Sequence, residues 1–435
     1  MFPAEERIGP DLRLRSVRDQ KDIERFVSVL TRNLNIVEGM TANNLLRFHP
    51  LRTLDDFQIV ENTVTGEVVS TSCFFPWRLR FAGIELNVVQ LEMIFTHPRY
   101  RQQGLVRRQI QRLHRLVEER GYDLVILWGI PYYYRQFGYS YCVEGLATQS
   151  LPAWRVPEAT AGGMPAGAQV ALRAATLLDV PRLQDFFPRS VAGLDVYLDR
   201  SAAHWRYLIE SAKFPLSIVE QAGKPVGYLM LVRNKRTAHI FESSLPDQPT
   251  ALALLRNLKQ DSDEILINWP PGTTLSRLAA DLGSVLTRCT QWEFRLPSLP
   301  RFLTKIAPVL ERRLAESEFR GITTDFVLNL FREACSIRIR EGKIEEVRPA
   351  GFVDTSMGGE PGTLNIPPDA WIRLLFGDRC LGELYDFWPD IVVKPEDKAL
   401  VGALFPAMKA YLYPAYHYYG PEIYTLEEKY LSYYL

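Results

Sequence analysis

The chain has 435 residues, of which 47% are hydrophobic and 23% are charged, and its 51 Lys and Arg residues equal its 51 Asp and Glu residues in number. That length predicts about three globular domains. The balanced charge argues against a protein dedicated to nucleic acid, because such proteins meet phosphates with clustered cations. The polar N-terminus has no apolar signal-peptide core, and no apolar run is long enough for a membrane span. We therefore expect a cytoplasmic protein with no membrane partner.

The cysteines and histidines carry no recognisable pattern. The five cysteines lie far apart without a Cys-x-x-Cys pair, and the six histidines show no metal-ligand spacing. We expect buried free thiols and no metal site.

The first 150 residues combine strand and helix patterns. A short strand at 12–17 is followed by an amphipathic helix at 21–34, and turn glycines separate antiparallel strands at 57–61, 67–78 and 80–90. A long apolar strand is predicted at 88–96. The apolar residues of 105–120 recur on one face of a helix, and the short apolar run at 124–128 is typical of a buried strand.

A stretch rich in Pro, Gly and Ala at 151–167 predicts a linker, and the composition changes again near 297–301. We therefore divide the chain into domains at 1–150, 151–297 and 298–435. The second domain has predicted strands at 170–172, 215–220, 226–232 and 239–242 and helices at 178–187, 251–258 and 274–282. The third has predicted helices at 302–317 and 367–375, strands at 326–331 and 336–340, and a tail rich in tyrosine.

The segment 88–113 is the one that carries chemistry. A strand leads into a glycine-bearing turn and then into a helix N-terminus, whose unpaired N–H groups and dipole favour a phosphate or pyrophosphate. Gly104 lets the chain approach such an anion closely, and Arg101 adds a positive charge. By itself the pattern is equally typical of a plain strand–turn–helix connection.

The whole string from Thr96 to Val106, THPRYRQQGLV, resembles the acetyl-CoA motif of the GNAT acetyltransferase superfamily. It departs from that motif at Val106, where most members have Gly or Ala. Further on, Tyr134–Tyr139 (YRQFGY) is similar to a segment of the Eis-type (enhanced intracellular survival) acetyltransferases. The last third resembles the sterol-carrier-protein-like module of that family at 362–366, 371–375 and 403–406.

The resemblance implies an α/β (α+β) fold class, with two tandem GNAT-like folds followed by a sterol-carrier-protein-like α+β domain. Only the first GNAT-like fold binds acetyl-CoA in that family. The implied activity is an acetyl-CoA-dependent N-acetyltransferase that acts by direct attack on a primary amine of an aminoglycoside-like compound, a polyamine or a lysine side chain. A homo-oligomer is also implied, since rings of six are known in the family.

The resemblance also assigns the cofactor contacts. The backbone of Ile94, Phe95 and Thr96 is expected to hold the pantetheine arm. The pyrophosphate is expected at the turn made by Arg101, Gln102, Gln103, Gly104, Leu105, Val106 and Arg107. The arginines of the predicted helix (Arg107, Arg108, Arg112 and Arg115) fit either the 3′-phosphate of CoA or a solvated helix face, and we expect the solvated face.

Two catalytic roles remain to be assigned. Tyr134 matches the family's general acid, because a phenol with a pKa near 10 is protonated at neutral pH, although Tyr133 is the alternative alignment and aromatic packing the alternative role. The general base is either the C-terminal carboxylate of Leu435 or Glu92, which lies twelve residues before Gly104. A different class of function, a non-enzymatic CoA- or lipid-binding protein that uses the carrier-like domain, also stays open at this point.

Overall fold

The computed structural model describes residues 5–145, 148–158, 169–268, 272–287, 290–353, 363–413 and 417. These residues form a mixed α/β structure with three β-sheets covered by helices. Within these ranges no helix is both long and apolar enough to cross a bilayer.

Strands account for much of each third of the chain. They are β1 (Glu5–Arg7), β2 (Leu12–Ser16), β3 (Phe57–Asn62), β4 (Val68–Phe81), β5 (Ile84–Thr96), β6 (Leu124–Leu127), β7 (Ser140–Gly145), β8 (Thr148–Pro152), β9 (Val170–Ala174), β10 (Val196–Asp199), β11 (Leu216–Gln221), β12 (Lys224–Asn234), β13 (Thr237–Ser244), β14 (Glu264–Asn268), β15 (Val285–Leu286), β16 (Thr290–Arg295), β17 (Thr324–Asn329), β18 (Ala334–Arg340), β19 (Lys343–Gly351), β20 (Leu364–Asn365) and β21 (Val392–Val393).

The α-helices lie between these strands in every third of the chain. They are α1 (Gln20–Asn33), α2 (Ile36–Phe48), α3 (Leu105–Glu119), α4 (Val180–Ser190), α5 (Ala202–Glu210), α6 (Gln248–Lys259), α7 (Thr274–Asp281), α8 (Leu299–Ala315), α9 (Pro368–Leu375), α10 (Leu381–Phe387) and α11 (Lys398–Leu404).

The first two sheets exchange strands. The first sheet has the order β1-β2-β3-β4-β5-β6-β16-β7, with β10 also paired to β4, and the second has the order β15-β8-β14-β13-β12-β11-β9. Strand β8 follows β7 directly in the chain yet pairs with β14 of the second sheet. Strand β16 comes after the whole second sheet yet lies between β6 and β7 of the first. Each sheet therefore contains a strand from the other part of the chain. The predicted cut at 150 falls within β8, and the predicted cut at 297 falls just after β16.

A third sheet, β19-β18-β17-β20-β21, lies in the last third of the chain. Its helices contact the first sheet: the Ser140 hydroxyl donates to Asp369 Oδ1 over 2.6 Å, and Arg135 forms an ion pair with the same carboxylate. The ring of Phe376 packs edge-on against Phe81 and Phe294 at centroid distances of 5.5 and 4.8 Å. The third part of the chain is thereby anchored beside β7 and the loop that precedes it.

The predicted elements agree with most of the observed ones, and the exceptions have physical causes. The strands predicted at 67–78, 80–90 and 88–96 are two long strands, β4 and β5, because the chain reverses at Ala82 and Gly83, which both have positive φ. Helix α2 was not predicted, because it is buried on several sides and so lacks an amphipathic pattern. Residues 151–152, predicted to be linker, belong to β8.

The placement of β16 can be tested by comparing its buried tryptophan with an exposed tryptophan elsewhere in the chain. Trp292 of β16 is fully buried, whereas Trp154 is 73% exposed. We expect Trp292→Ala to lower the free energy of unfolding by about 3–5 kcal/mol, because it leaves a large cavity in the first sheet's core. The matched control Trp154→Ala is expected to change it by less than about 1 kcal/mol. Urea unfolding followed by circular dichroism measures both, and equal losses would contradict the placement of β16.

Candidate active site

A wedge-shaped gap opens between β5 and β6. The two strands pair in parallel from Val88↔Leu124 to Gln90↔Ile126, but β5 continues to Thr96. None of the described strands pairs with this last part of β5 on the β6 side. Its backbone N–H and C=O groups can therefore bind an extended ligand in the way that a further strand would be bound.

A β-bulge lies at the mouth of this gap. The register of β4 and β5 shifts between Thr71 and Cys73, and Met93 opposite them has a positive φ of 54°. The Thr71 hydroxyl donates to the Met93 carbonyl over 2.9 Å and helps to hold the bulge. Bulges turn the strand locally, and such strained residues concentrate at functional sites.

The three residues predicted to hold a pantetheine arm follow the bulge directly. The carbonyl of Phe95 accepts a hydrogen bond from Ser70 Oγ over 2.6 Å, and Thr96 Oγ1 lies 2.8 Å from the same hydroxyl. Ile94 packs half-buried against the α3 side of the sheet, whereas Phe95 is buried on the other side. All three thus lie on the strand that borders the gap.

The turn after β5 forms an anion-binding arrangement. Gln102 and Gly104 both have left-handed backbones, with φ of 62° and 74°. The first α-helical hydrogen bond of α3 runs from Arg108 N–H to Gly104 O over 3.1 Å, so the N–H groups of the three preceding residues have no intrahelical acceptor. N–H groups converging at such a turn and at a helix N-terminus bind anions. A Cβ at Gly104 would meet no atom within 4 Å, so the turn is open to a ligand.

The side chains of the turn leave this space clear. Leu105 is buried against the β2, β3 and β4 side of the sheet, and Val106 packs half-buried against the cluster beneath α3. The branched side chain of Val106, the one departure from the acetyl-CoA motif, therefore packs against the apolar cluster beneath α3. Arg101 donates to the Thr96 carbonyl over 3.3 Å, and Arg107 donates to Gln136 over 2.7 Å.

Gln103 is the remaining residue of the predicted turn, and it is exposed, with its amide donating to the Arg99 carbonyl over 3.5 Å. Among the other helix arginines, Arg108 and Arg115 lie 3.7 Å from Glu6. Arg112 is only 4% exposed, so the expectation of a solvated face is wrong for this residue.

Tyr134 lies at the far side of the gap. Its ring is 7% exposed and packs directly on Gly129, where a Cβ would come within 2.1 Å of the ring. Burial raises the pKa of the Tyr134 phenol above its usual value, and the negative charge of Glu92 raises it further. The phenol is therefore protonated at neutral pH and is suited to donate a proton. Tyr133 packs edge-on against it at 5.0 Å.

Glu92 approaches the gap from the opposite face of the sheet. Trp77 Nε1 donates to Gln90 Oε1, and Gln90 Nε2 donates to Glu92 Oε1, each over 2.9 Å. These two hydrogen bonds hold the half-buried Glu92 carboxylate on the face of the sheet where Trp77 packs. Tyr134 packs on the opposite face, beneath α3. The structure thus brings two of the predicted catalytic residues to the same gap. Leu435, the alternative base, lies outside the described residues.

Glu293 is a buried acid beside the candidate site that sequence reasoning missed. It lies on β16 opposite Leu127 of β6 and Tyr141 of β7. It is fully buried, and neither carboxylate oxygen has a hydrogen-bond partner among the described residues. Burial raises the pKa of Glu293 to about 7, and nearby Arg135 opposes this rise.

The sequence holds only a weak signal for Glu293. The alternation in TQWEFR predicts a strand with the glutamate on the opposite face from Trp292 and Phe294. Nothing in that pattern indicates which strand β16 pairs with, since its partner β6 lies far away in the chain.

Comparisons with known proteins identify the class of this protein. Residues 14–142 match the family model of an acetyltransferase (GNAT) domain. A search of curated proteins finds no match. The chain therefore contains a GNAT acetyltransferase domain, which makes it an enzyme of the acyltransferase class.

Solved structures resemble nearly the whole chain. A GCN5-related N-acetyltransferase from Anabaena variabilis has a TM-score of 0.67 at 13% identity and covers 94% of this chain and 100% of its own. A probable N-acyltransferase from Enterococcus faecalis has 0.69 at 14%, covering 93% and 99%. Eis1 from Mycobacterium abscessus has 0.63 at 17%, covering 92% and 99%. At these identities the likeness shows the fold, a mixed α/β architecture of GNAT type.

The buried carboxyl of Glu293 makes stability depend on pH. The folded-state pKa of about 7 lies above the value of about 4.3 in unfolded chains, so the folded state binds more protons between these values and stability falls as pH rises through them. Relative to the wild type, we expect the free energy of unfolding of Glu293→Gln to rise by about 3–4 kcal/mol between pH 4 and pH 8. Urea unfolding at several pH values measures this.

Glu61→Gln is a control in which the pH dependence of stability is expected to change in the opposite direction. Burial raises the pKa of Glu61, but Arg15, Arg25 and Arg13 outweigh it and lower that pKa to about 2. This carboxylate therefore stabilises the fold above about pH 4.3, and its contribution is lost as the pH falls towards 2. A Glu293→Gln curve that runs parallel to the wild type would contradict the assignment of a buried acid.

Proposed function

We propose that the protein transfers the acetyl group of acetyl-CoA to a primary amine by direct attack in a ternary complex. The observation that carries this proposal is the gap between β5 and β6, which has an N–H-lined turn at one end and Tyr134 and Glu92 on its two faces. Aminoglycoside-like compounds, polyamines and lysine side chains are the acceptor classes we propose.

The cofactor contacts follow from the backbone. An extended pantetheine arm pairs with the free edge of β5 at Ile94–Thr96, where an amide-bearing chain replaces the missing strand. The pyrophosphate lies over Gly104 and the first turn of α3, where backbone N–H groups and the helix dipole stabilise its charge. The gap directs the thioester towards Tyr134.

The chemical step needs one acid and one base. The amine nitrogen attacks the thioester carbonyl carbon, the carbon–sulfur bond breaks, and Tyr134 Oη donates its proton to the departing thiolate. The amine loses its proton to a carboxylate. Glu92 is the described candidate for this base, because it reaches the gap from the face opposite Tyr134; the carboxylate of Leu435 is the other.

We further propose that only the first of two GNAT-like units binds acetyl-CoA. In the second sheet β13 and β14 also pair in parallel, and α6 follows β13. Asp247 caps α6 by accepting from Thr250 N–H over 2.8 Å, and Pro249 lies in the first turn. A carboxylate at the helix N-terminus repels a phosphate, and a proline removes an N–H donor, so this turn is unsuited to a pyrophosphate.

The division at 1–150, 151–297 and 298–435 is retained as a proposal for the functional units, with a sterol-carrier-protein-like module as the third. The contacts of Asp369 with Arg135 and Ser140 support a structural role for that module, since they anchor the segment that carries Tyr134. A carrier function without catalysis is not favoured, because the chain contains a GNAT domain.

Pyrophosphate binding at the Gly104 turn can be tested by introducing a carboxylate there, as Asp247 provides at the start of α6. We expect Gly104→Asp to raise the Kd for acetyl-CoA by at least about tenfold, or about 1.4 kcal/mol, through repulsion of the pyrophosphate. Gly223→Asp is the matched control, because Gly223 has nearly the same φ, 73° against 74°, and equally open surroundings. Isothermal titration with acetyl-CoA distinguishes them, and equal affinities would rule out the turn as the pyrophosphate site.

The role of Tyr134 as general acid can be tested by removing its hydroxyl oxygen. We expect Tyr134→Phe to lower kcat by about 100-fold or more while the Kd for acetyl-CoA changes by less than about threefold, because a general acid acts in the chemical step. Tyr133→Phe is the control and is expected to keep kcat within about threefold. The assay is thiol release from acetyl-CoA with spermidine, kanamycin or a lysine peptide. A larger effect at Tyr133 would transfer the role to that residue.

A further inference from the structure

Glu293 shares a face of the sheet with Tyr134. Its register partner Leu127 packs in the cluster beneath α3 that also contains Tyr134, whereas its neighbours Trp292 and Phe294 pack on the other face. The Tyr134 ring covers Gly129, two residues beyond Leu127. The carboxyl and the phenol therefore lie at the same end of β6, where the negative charge of Glu293 adds to the rise in the Tyr134 pKa that burial mainly causes.

The carboxyl of Glu293 lacks the arginine partners that hold two other buried glutamates, Glu242 and Glu61. Glu242 is fully paired with Arg200 over 2.7 Å, and Glu61 is held by three arginines, the closest over 2.7 Å. Glu293 is as deeply buried but has no described hydrogen-bond partner for either oxygen. Burying an unpaired carboxylate is costly, so this site favours the neutral acid.

The groups that face Glu293 are few. Tyr134 and Arg135 face it from the loop after β6, and Tyr141 faces it from β7, with its hydroxyl accepting from Tyr132 N–H over 2.8 Å. Tyr139 faces it from the α3 side, where the Tyr139 hydroxyl is hydrogen-bonded to His114 Nε2 over 2.8 Å. On β16 itself, Arg295 pairs with Glu118 over 3.2 Å. Of these groups, Tyr134 is the one that borders the gap.

We propose that Glu293 returns a proton to Tyr134 after each turnover. This role rests on the proposed acetyltransfer and extends it, because a buried tyrosine that has given its proton to the thiolate must be reprotonated before it can act again. Glu293 is a positioning residue in this scheme, since it acts through Tyr134 and touches neither substrate.

The proton balance is simple and involves no redox change. The Tyr134 O–H bond breaks as the proton passes to the CoA sulfur, which leaves a phenolate. The carboxyl O–H bond of Glu293 then breaks, and its proton passes to the phenolate directly or through one water molecule. The Glu293 carboxylate regains a proton from solvent. The transfer is downhill because a carboxylic acid is a stronger acid than a phenol.

The test compares the first turnover with those that follow. With spermidine or kanamycin as acceptor, we expect Glu293→Gln to release the first equivalent of thiol at a rate within about twofold of the wild type, because Tyr134 starts protonated. Steady-state kcat is expected to fall by about tenfold or more, so that a burst of one thiol per site appears. Glu293→Asp, which keeps an acid, should restore part of the steady-state rate.

The outcomes separate this inference from the proposed function. In a Tyr134→Phe background, Glu293→Gln should have no further effect on kcat, since the residue it serves is absent. Equal slowing of the first and later turnovers, or additive effects of the two substitutions, would show a structural role and overturn the inference alone. Unchanged steady-state turnover in Glu293→Gln would do the same. A wild-type protein that releases no thiol with any amine would overturn the proposed function, and this inference with it.

Discussion

The candidate site depends on one interruption of hydrogen bonding. Parallel strands β5 and β6 pair as far as Gln90↔Ile126 and then separate, while β5 continues for six residues to Thr96. Backbone groups inside a sheet are normally satisfied by the neighbouring strand, so the separation creates a row of donors and acceptors that a ligand can use. The bulge at Met93 and the two left-handed residues of the following turn direct the chain from this edge into α3. Every proposed cofactor contact lies on this continuous path.

The gap is stable because distant parts of the chain surround it. Strand β16 pairs with β6 on the side away from the gap, so that β6 has a neighbour along its outer edge and Glu293 is brought to the face of the sheet on which Tyr134 packs. Arg135, next to Tyr134 in the chain, is ion-paired with Asp369 of α9. The first unit alone therefore lacks both a strand of its sheet and an anchor for the segment that carries Tyr134. This interdependence gives a physical reason for the likeness to solved structures extending over nearly the whole chain rather than the first third.

Local patterns predicted much of what was found. The helix at α3, the buried strand at β6 and the glycine turn between β5 and α3 follow from periodicity, from a run of apolar residues and from the backbone freedom of Gly104. Each depends on neighbours within a few residues, which is why the sequence is sufficient. The wrong secondary-structure predictions fall where the hydrophobic pattern does not show the element or its end. Helix α2 is buried on too many sides to show an apolar stripe. Gly83 marks the observed β4–β5 turn, but the first of the two long strands was predicted to end at 78, three residues too early.

The sequence by itself determined the turn that resembles an acetyl-CoA motif and the identities of Tyr134 and Glu92, since these reside in short contiguous segments. Tertiary structure alone decided that these two residues reach the gap from opposite faces, that Val106 packs inward, and that β8 and β16 change places between sheets. It also decided the surroundings of Glu293. A residue's burial and partners depend on strand pairings made across more than 100 residues of chain, and a single sequence carries no local signal for such pairings.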